Sequence, residues 1–283
     1  MKKYLALLLA ALMLIAAFAG CGEKETQEEP EEPAVEAHGV FHTYFSTPPA
    51  TLNYFTDTNT PCGELCAWTS GSLYSDRATE DGKSWEWWCE FAEDFPQKMD
   101  EEGKVWRVTF KDGIVWENGD TLDANDLVYT FKMLADPKQV NVSSTTVTAS
   151  VSWDIVNLAA YSKGECAWED VGIKLIDDKT IEFTGTYAVP QINVMRYTGL
   201  RPVYQPLYDA GLSEDGTVTD YGTEVSKYMS CGPFKLTEWV PDAKFTLVKN
   251  ENYAYADKIK FLGVDEKGRF NLSRRDALGP DEE

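Results

Sequence analysis

The stretch that most narrows the fold is "KVWRVTFKDGIVWENGDTLDANDLVYTFKMLADP", residues 104–137. Trp106, Val108 and Phe110 alternate with polar residues, so a strand here has one apolar face and one wet face. "KDG" reads as a turn, "IVW" as a return strand and "ENG" as a second turn, which predicts a hairpin. Asp123 follows as a helix cap, and Asp126 sits three residues on, where a carboxylate reaches back to the first free amides. Leu127, Val128, Phe131 and Leu134 recur at helical spacing, and Pro137 stops the helix. One short segment therefore passes from strand periodicity to helix periodicity. That excludes an all-helical or an all-strand body.

Weaker patterns elsewhere agree. "GVFHTYFSTPPATLNYF" begins as a strand of aromatic and β-branched residues that Pro48-Pro49 ends. "CGELCAWTSGSLYSDR" spaces Leu65, Trp68, Leu73 and Tyr74 as a helix would, with Gly71 its weak point. Residues 140–153, rich in Val, Thr and Ser, suit a strand or an extended loop. "VGIKLIDDKTIEF" predicts a hairpin about Asp177-Asp178, and "GPFKLTEWVPDAKFTLVKN" another about Pro241-Asp242-Ala243. Strands, single helices and hairpins alternate without an internal repeat, so the fold class is mixed α/β or α+β.

The N-terminus sets the compartment. "MKKYLALLLAALMLIAAFAGC" puts two lysines before an apolar run that ends in small residues and a cysteine, the pattern of a secretory signal. Tyr4 to Phe18 is short for a membrane span of ~20 residues. Ala19-Gly20-Cys21 resembles the bacterial lipobox, which makes residues 1–21 a lipoprotein signal peptide and Cys21 the lipidation site; Phe18 departs from the usual Leu, Val or Ile. "GEKETQEEPEEPAVEA" follows, with seven glutamates and two prolines. Such a stretch cannot bury a core, so residues 22–38 read as an acidic tether holding a folded body that starts at residue 39.

A formal charge of −21 argues against nucleic acid, whose binders offer a basic surface to phosphate. Past Cys21 the cysteines are Cys62, Cys66, Cys89, Cys166 and Cys231, an odd number that leaves one unpaired. Cys62 and Cys66 form either a local disulfide, which export permits, or two buried thiols. The only histidines are His38 and His42. No second Cys or His pair follows at zinc spacing, so no metal or cofactor is expected.

Asp120, Asp123 and Asp126 form the one enzyme-like cluster, in a chain with nine tryptophans. The alternative functions are a secreted carbohydrate-active enzyme using Asp120 or Asp126 beside an aromatic platform, or a non-transport surface interaction module. Turn and cap roles account for the same residues, and no Gly-x-Ser-x-Gly, His-Glu-x-x-His or phosphate loop is present. A binding surface is the better reading. Trp85, Trp87 and Trp88 lie close together, and Tyr44, Phe45, Tyr54 and Phe55 flank the Ser46-Thr47-Pro48-Pro49 loop; aromatics like these either recognise a ligand or fill a core.

Four stretches carry a family likeness. "WRVTFKDGIVWENGDTLDANDLVYTFKMLADP" resembles the signature of family-5 extracellular solute-binding proteins, the oligopeptide and dipeptide receptors of ABC importers. "SCGPFKLTEWVPDAKFTLVKNENY" is similar to a later hairpin of that family, with Cys231 where Thr is common. "WEDVGIKLIDDKTIEFTG" and "STPPATLNYF" match in the same order, so the likeness runs from about residue 40 to 257. The resemblance implies a periplasmic-binding-protein type II-like first lobe with its small subdomain over 39–257, truncated before the second lobe. It implies a non-enzymatic, extracytoplasmic receptor, lipid-anchored to the cell membrane, monomeric, and partnered by a peptide or other small solute and by permease subunits. It also implies that Ser46, Thr47, Pro48 and Pro49 line the ligand cleft, where backbone could pair with a peptide main chain as an added strand. A half cleft cannot enclose its ligand, so the expectation is weak or no binding by this chain.

Beyond that likeness, "FLGVDEKGRFNLSRRDAL" resembles the closing strands of the RNA-binding barrel of polynucleotide phosphorylase, or an incidental hairpin about Asp265-Glu266-Lys267-Gly268. The resemblance implies a join near Lys260 and a tail, 258–283, that is foreign or poorly packed.

Overall fold

In a computed structural model of the chain, residues 43–45, 47–79 and 83–258 are described. The expectations for the signal peptide, Cys21, the acidic tether, Ser46 and residues 259–283 lie outside these residues. The chain divides into two units, Met1–His38 and Gly39–Glu283, and every described residue is in the second.

Helix α1, Thr60–Thr69, starts where the Asn59 side chain accepts a hydrogen bond from the Cys62 amide. The expected helix through Tyr74 is shorter than its periodicity suggested. A Cβ on Gly71 would lie 2.2 Å from the Phe91 ring, so the chain leaves the helix before Gly71 to let that ring pack against bare backbone. Leu73 and Tyr74 then open a two-stranded ribbon of β1, Tyr74–Ala78, and β2, Trp85–Cys89.

A four-stranded antiparallel sheet follows, made of β3 (Gln97–Lys98), β4 (Val105–Thr109), β5 (Ile173–Leu175) and β6 (Thr180–Thr184) in the order β3-β4-β6-β5. As expected, Trp106, Val108 and Phe110 are buried. Their strand, however, is not half of a hairpin with "IVW". β4 is flanked by β3 and β6, and the Phe110 and Lys111 amides donate to Lys179 and Phe91 carbonyls, which leads the chain away from a tight return. Val115 makes only an isolated bridge to Thr121 about the "ENG" turn. Alternation announces a strand and its face, and not its neighbour.

Helix α2, Ala124–Leu134, carries the expected capping box, with Asp123 on the first amides and Asp126 reaching back to the Asp123 amide at 3.1 Å. Leu127, Phe131 and Leu134 are fully buried, a gain of about 2 kcal/mol each over exposure. Phe131 meets Phe183 of β6 edge-on at 5.4 Å between centroids, which fixes the helix on the sheet.

Residues 140–153 form turns and a single helical turn, α3 (Thr145–Thr148), in place of a strand or extended loop. Thr146 and Thr148 hydroxyls donate to the Ser143 and Ser144 carbonyls, so hydroxyl-rich chain satisfies itself locally. Short helices α4 (Leu158–Tyr161), α5 (Gln191–Thr198) and α6 (Gln205–Ala210) complete the body. The two later hairpins fold as expected: β5 and β6 about Asp177-Asp178, and β7 (Phe234–Val240) with β8 (Lys244–Lys249) about Asp242. Residues 43–45 carry no strand, so the described part of that expected strand is loop.

Candidate functional site

Residues 47–57 double back as a compact loop whose anchors come from the far end of the chain. The Thr51 hydroxyl donates to the Tyr221 carbonyl at 3.0 Å and accepts from the Asn53 amide at 3.0 Å. Leu52 is buried and commits both backbone groups: its N–H donates to the Gly222 carbonyl at 2.7 Å, and its carbonyl accepts from the Cys66 thiol at 3.3 Å. Gly222 has φ +75°, and a Cβ there would lie 2.7 Å from the Asn53 nitrogen. Only glycine lets the two backbones come this close.

Beneath the loop runs a ladder of rings. Tyr54 meets Phe55 at 4.8 Å, Phe55 meets Tyr208 at 5.7 Å, Tyr208 meets Tyr221 at 5.5 Å, and Tyr221 meets Tyr228 at 5.8 Å. Burial holds the phenols of Tyr54, Tyr208, Tyr221 and Tyr228 above the usual tyrosine range, so they act only as neutral hydrogen-bonding groups. The Tyr54 hydroxyl donates to the Arg201 carbonyl at 2.7 Å, and that of Tyr228 pairs with Thr69 at 2.6 Å. Of the aromatics that flank the expected ligand loop, Phe55 is core and Tyr44 is 90% exposed.

On top of this seat Thr47, Pro48 and Ala50 are exposed, while Pro49 turns inward and is buried. Of the ligand residues expected from sequence, Thr47, Pro48 and Pro49 are thus described together as one ridge. Gly222, Tyr221 and Leu52, which hold the ridge, were not singled out in the sequence; "DYGTE" has ordinary turn composition and offers no other signal.

Cys62 and Cys66 are thiols with sulfurs 4.0 Å apart, not a disulfide, both buried in α1. The hydrogen bond to Cys66, and then burial, push the Cys62 thiol up. Burial, aided by the carboxylates of Glu90, Asp126 and Glu117, pushes Cys231 up to about 12. None of the described residues form a cluster of metal-ligating groups.

The three aspartates are occupied. Asp120 is exposed and accepts from the Asn118 amide and the Tyr204 hydroxyl, which together lower its pKa. Asp123 caps α2 through the Asn125 amide at 2.8 Å. Asp126 accepts from the Asp123 amide and, at 3.4 Å, from the Trp116 indole, and burial raises it to about 7. Trp85, at 69% exposure, sits on the β1–β2 ribbon, while Trp88 packs on Tyr255 at 4.8 Å. A separate concavity of about 390 Å³ on the outer face of the four-stranded sheet is lined by Glu93, Asp94, Phe95, Gln97, Arg107 and Thr109.

Comparison with known proteins gives this architecture relatives. A family model described as bacterial extracellular solute-binding proteins, family 5, middle region, matches residues 83–276, which begins after the ridge and continues past Lys260. The oligopeptide-binding protein OppA of Bacillus subtilis is 28% identical over 166 residues, 58% of this chain and 28% of that protein. A dipeptide-binding protein of Lactococcus lactis subsp. cremoris is 31% identical over 172 residues, 59% of this chain and 29% of that protein. The substrate-binding domain of an oligopeptide ABC transporter from Bacillus anthracis superposes with a TM-score of 0.61 at 25% identity, over 75% of this chain and 38% of that one. The matched region is thus under a third of the length of these curated relatives.

Proposed function

Because the chain belongs to the bacterial extracellular solute-binding proteins of family 5, we propose that it captures oligopeptides or dipeptides outside the cytoplasm for the permease of an ABC importer. The family match over residues 83–276 carries this reading, and the names of the peptide-binding relatives support the ligand class. In this reading residues 1–21 direct export, Cys21 bears lipid, and residues 22–38 tether a monomeric body of 39–257 to the membrane. Ser46, Thr47, Pro48 and Pro49 form the ligand loop, with Thr47 and Pro48 exposed and Pro49 buried beneath them. No catalytic step, metal or cofactor is involved. The structural partners of Asp120, Asp123 and Asp126 support that, since each carboxylate already holds a turn or a cap.

An exposed ridge contacts a ligand from one side and leaves most of its area in water, so the chain alone binds weakly. Titration of residues 22–283 with a library of tri- to pentapeptides, followed by NMR, is expected to give dissociation constants on the order of millimolar. Micromolar affinity would refute the one-sided surface. Cys21→Ala is expected to shed the protein into the medium; retention at the membrane would sink the lipid assignment.

A further inference from the structure

The ridge is lopsided in its hydrogen-bonding capacity. Pro48 and Pro49 have no N–H to give. The Ala50 N–H is already directed at Asp57 Oδ2, 3.3 Å away. Leu52 and Asn53 spend theirs on Gly222 and on Thr51. Between residues 47 and 50 that leaves the N–H of Thr47. The carbonyls of Thr47, Pro48, Pro49 and Ala50, in contrast, accept no hydrogen bond from any described residue.

A residue facing its partner in an antiparallel ladder exchanges both an N–H and a carbonyl bond, and alternate residues face the same way. A ligand strand would therefore meet either Thr47 and Pro49 or Pro48 and Ala50. The first pair offers two acceptors and one donor; the second offers two acceptors and none. Neither phase can complete a ladder.

Resting on the reading of this ridge as a ligand surface, we propose that residues 47–50 form an acceptor surface that selects ligand segments by the N–H donors they bring. Amide N–H, ammonium and guanidinium groups satisfy it, and ligand carbonyls gain almost nothing there. A formal charge of −21 acts in the same direction, because it raises the local concentration of cationic, donor-rich ligands. Pro48 is the residue that sets this preference, being exposed and lacking a donor where a ladder would need one.

The test is an NMR titration of residues 22–283 with Ala-Lys-Ala-Lys and two sets of analogues. One set is N-methylated at a single amide, which removes a donor. The other carries a single thioamide, which weakens an acceptor and keeps the N–H. At one or more positions N-methylation is expected to weaken binding roughly tenfold, while no thioamide, apart from one facing the Thr47 N–H, changes it by more than about twofold. Pro48→Ala restores an N–H at a solvent-exposed position; it is expected to tighten the parent peptide about threefold and to make one thioamide position matter. Equal losses in both sets, losses in the thioamide set alone, or an unchanged profile in Pro48→Ala would overturn the proposal while leaving a ligand site in place. If neither the parent nor any analogue perturbs Thr47 or Ala50, the reading of the ridge as a ligand surface fails instead.

Discussion

The start of α2 and the loop at residues 47–57 both turn the backbone through hydrogen bonds from side chains, yet they find their partners at opposite ranges. Asp123 and Asp126 bond amides two and three residues away. Thr51 reaches a carbonyl 170 positions along the chain, and Leu52 bonds the next residue, Gly222. The helix start is a local motif that can form before the rest of the molecule does. The loop has local bonds too, such as the Asn53 amide on Thr51, but it is seated on the body through residues 221 and 222. The seat of this ridge is thus built by tertiary contact, and its geometry depends on residues remote from it in sequence.

Three substitutions probe that contrast. Gly222→Ala has the largest expected effect, a destabilisation of about 3 kcal/mol, because it combines a positive φ with a backbone collision. Hydrogen exchange at the Leu52 amide should rise with it. An Ala variant of unchanged stability and protected Leu52 would show that the loop does not depend on its remote seat.

Asp126→Asn follows: its stability relative to the parent is expected to rise by about 2 kcal/mol between about pH 4 and pH 7, after allowing for partial exposure. Burial raises this carboxyl from 3.8 to about 7, so the folded protein holds the proton more tightly than the unfolded chain. Its contribution to stability is full below about pH 4 and is lost as pH rises through about 7. Asparagine carries no charge at any pH. The melting temperature of the variant relative to the parent should therefore climb between those limits; a flat difference would mean that the carboxylate pays nothing for its place beside Trp116.

Asp123→Ala is expected to cost about 1 kcal/mol, the usual loss for a helix cap. Its effect on exchange should stay within the first turn of α2. Exposure of Leu52 by the same substitution would break the distinction between a local motif and a remote one.

The same distinction explains what the sequence disclosed. The capping box, the two later hairpins and the buried face of β4 rest on periodicity and turn chemistry within a few residues, and they were legible. The partner of β4 was not, because alternation specifies a face and leaves the neighbouring strand to the topology. Gly71 was correctly suspect, but only the Phe91 ring explains why α1 stops before it. Residues 140–153 misled because Val and Thr favour strands on average, whereas here the Thr146 and Thr148 hydroxyls bond nearby carbonyls. Of the candidate site, Thr47, Pro48 and Pro49 were singled out by family likeness alone. Gly222 and Tyr221 were not, since nothing in "DYGTE" points back to Leu52.

The two prolines have a consequence apart from the donors they lack. Each fixes its own φ, and the chain beyond them is clamped at once by Thr51 and Leu52. Most of the conformational freedom of the ridge is surrendered during folding, so a ligand bound there as proposed would meet a preorganised edge. It need not supply the ordering energy that a glycine-rich loop would demand of it.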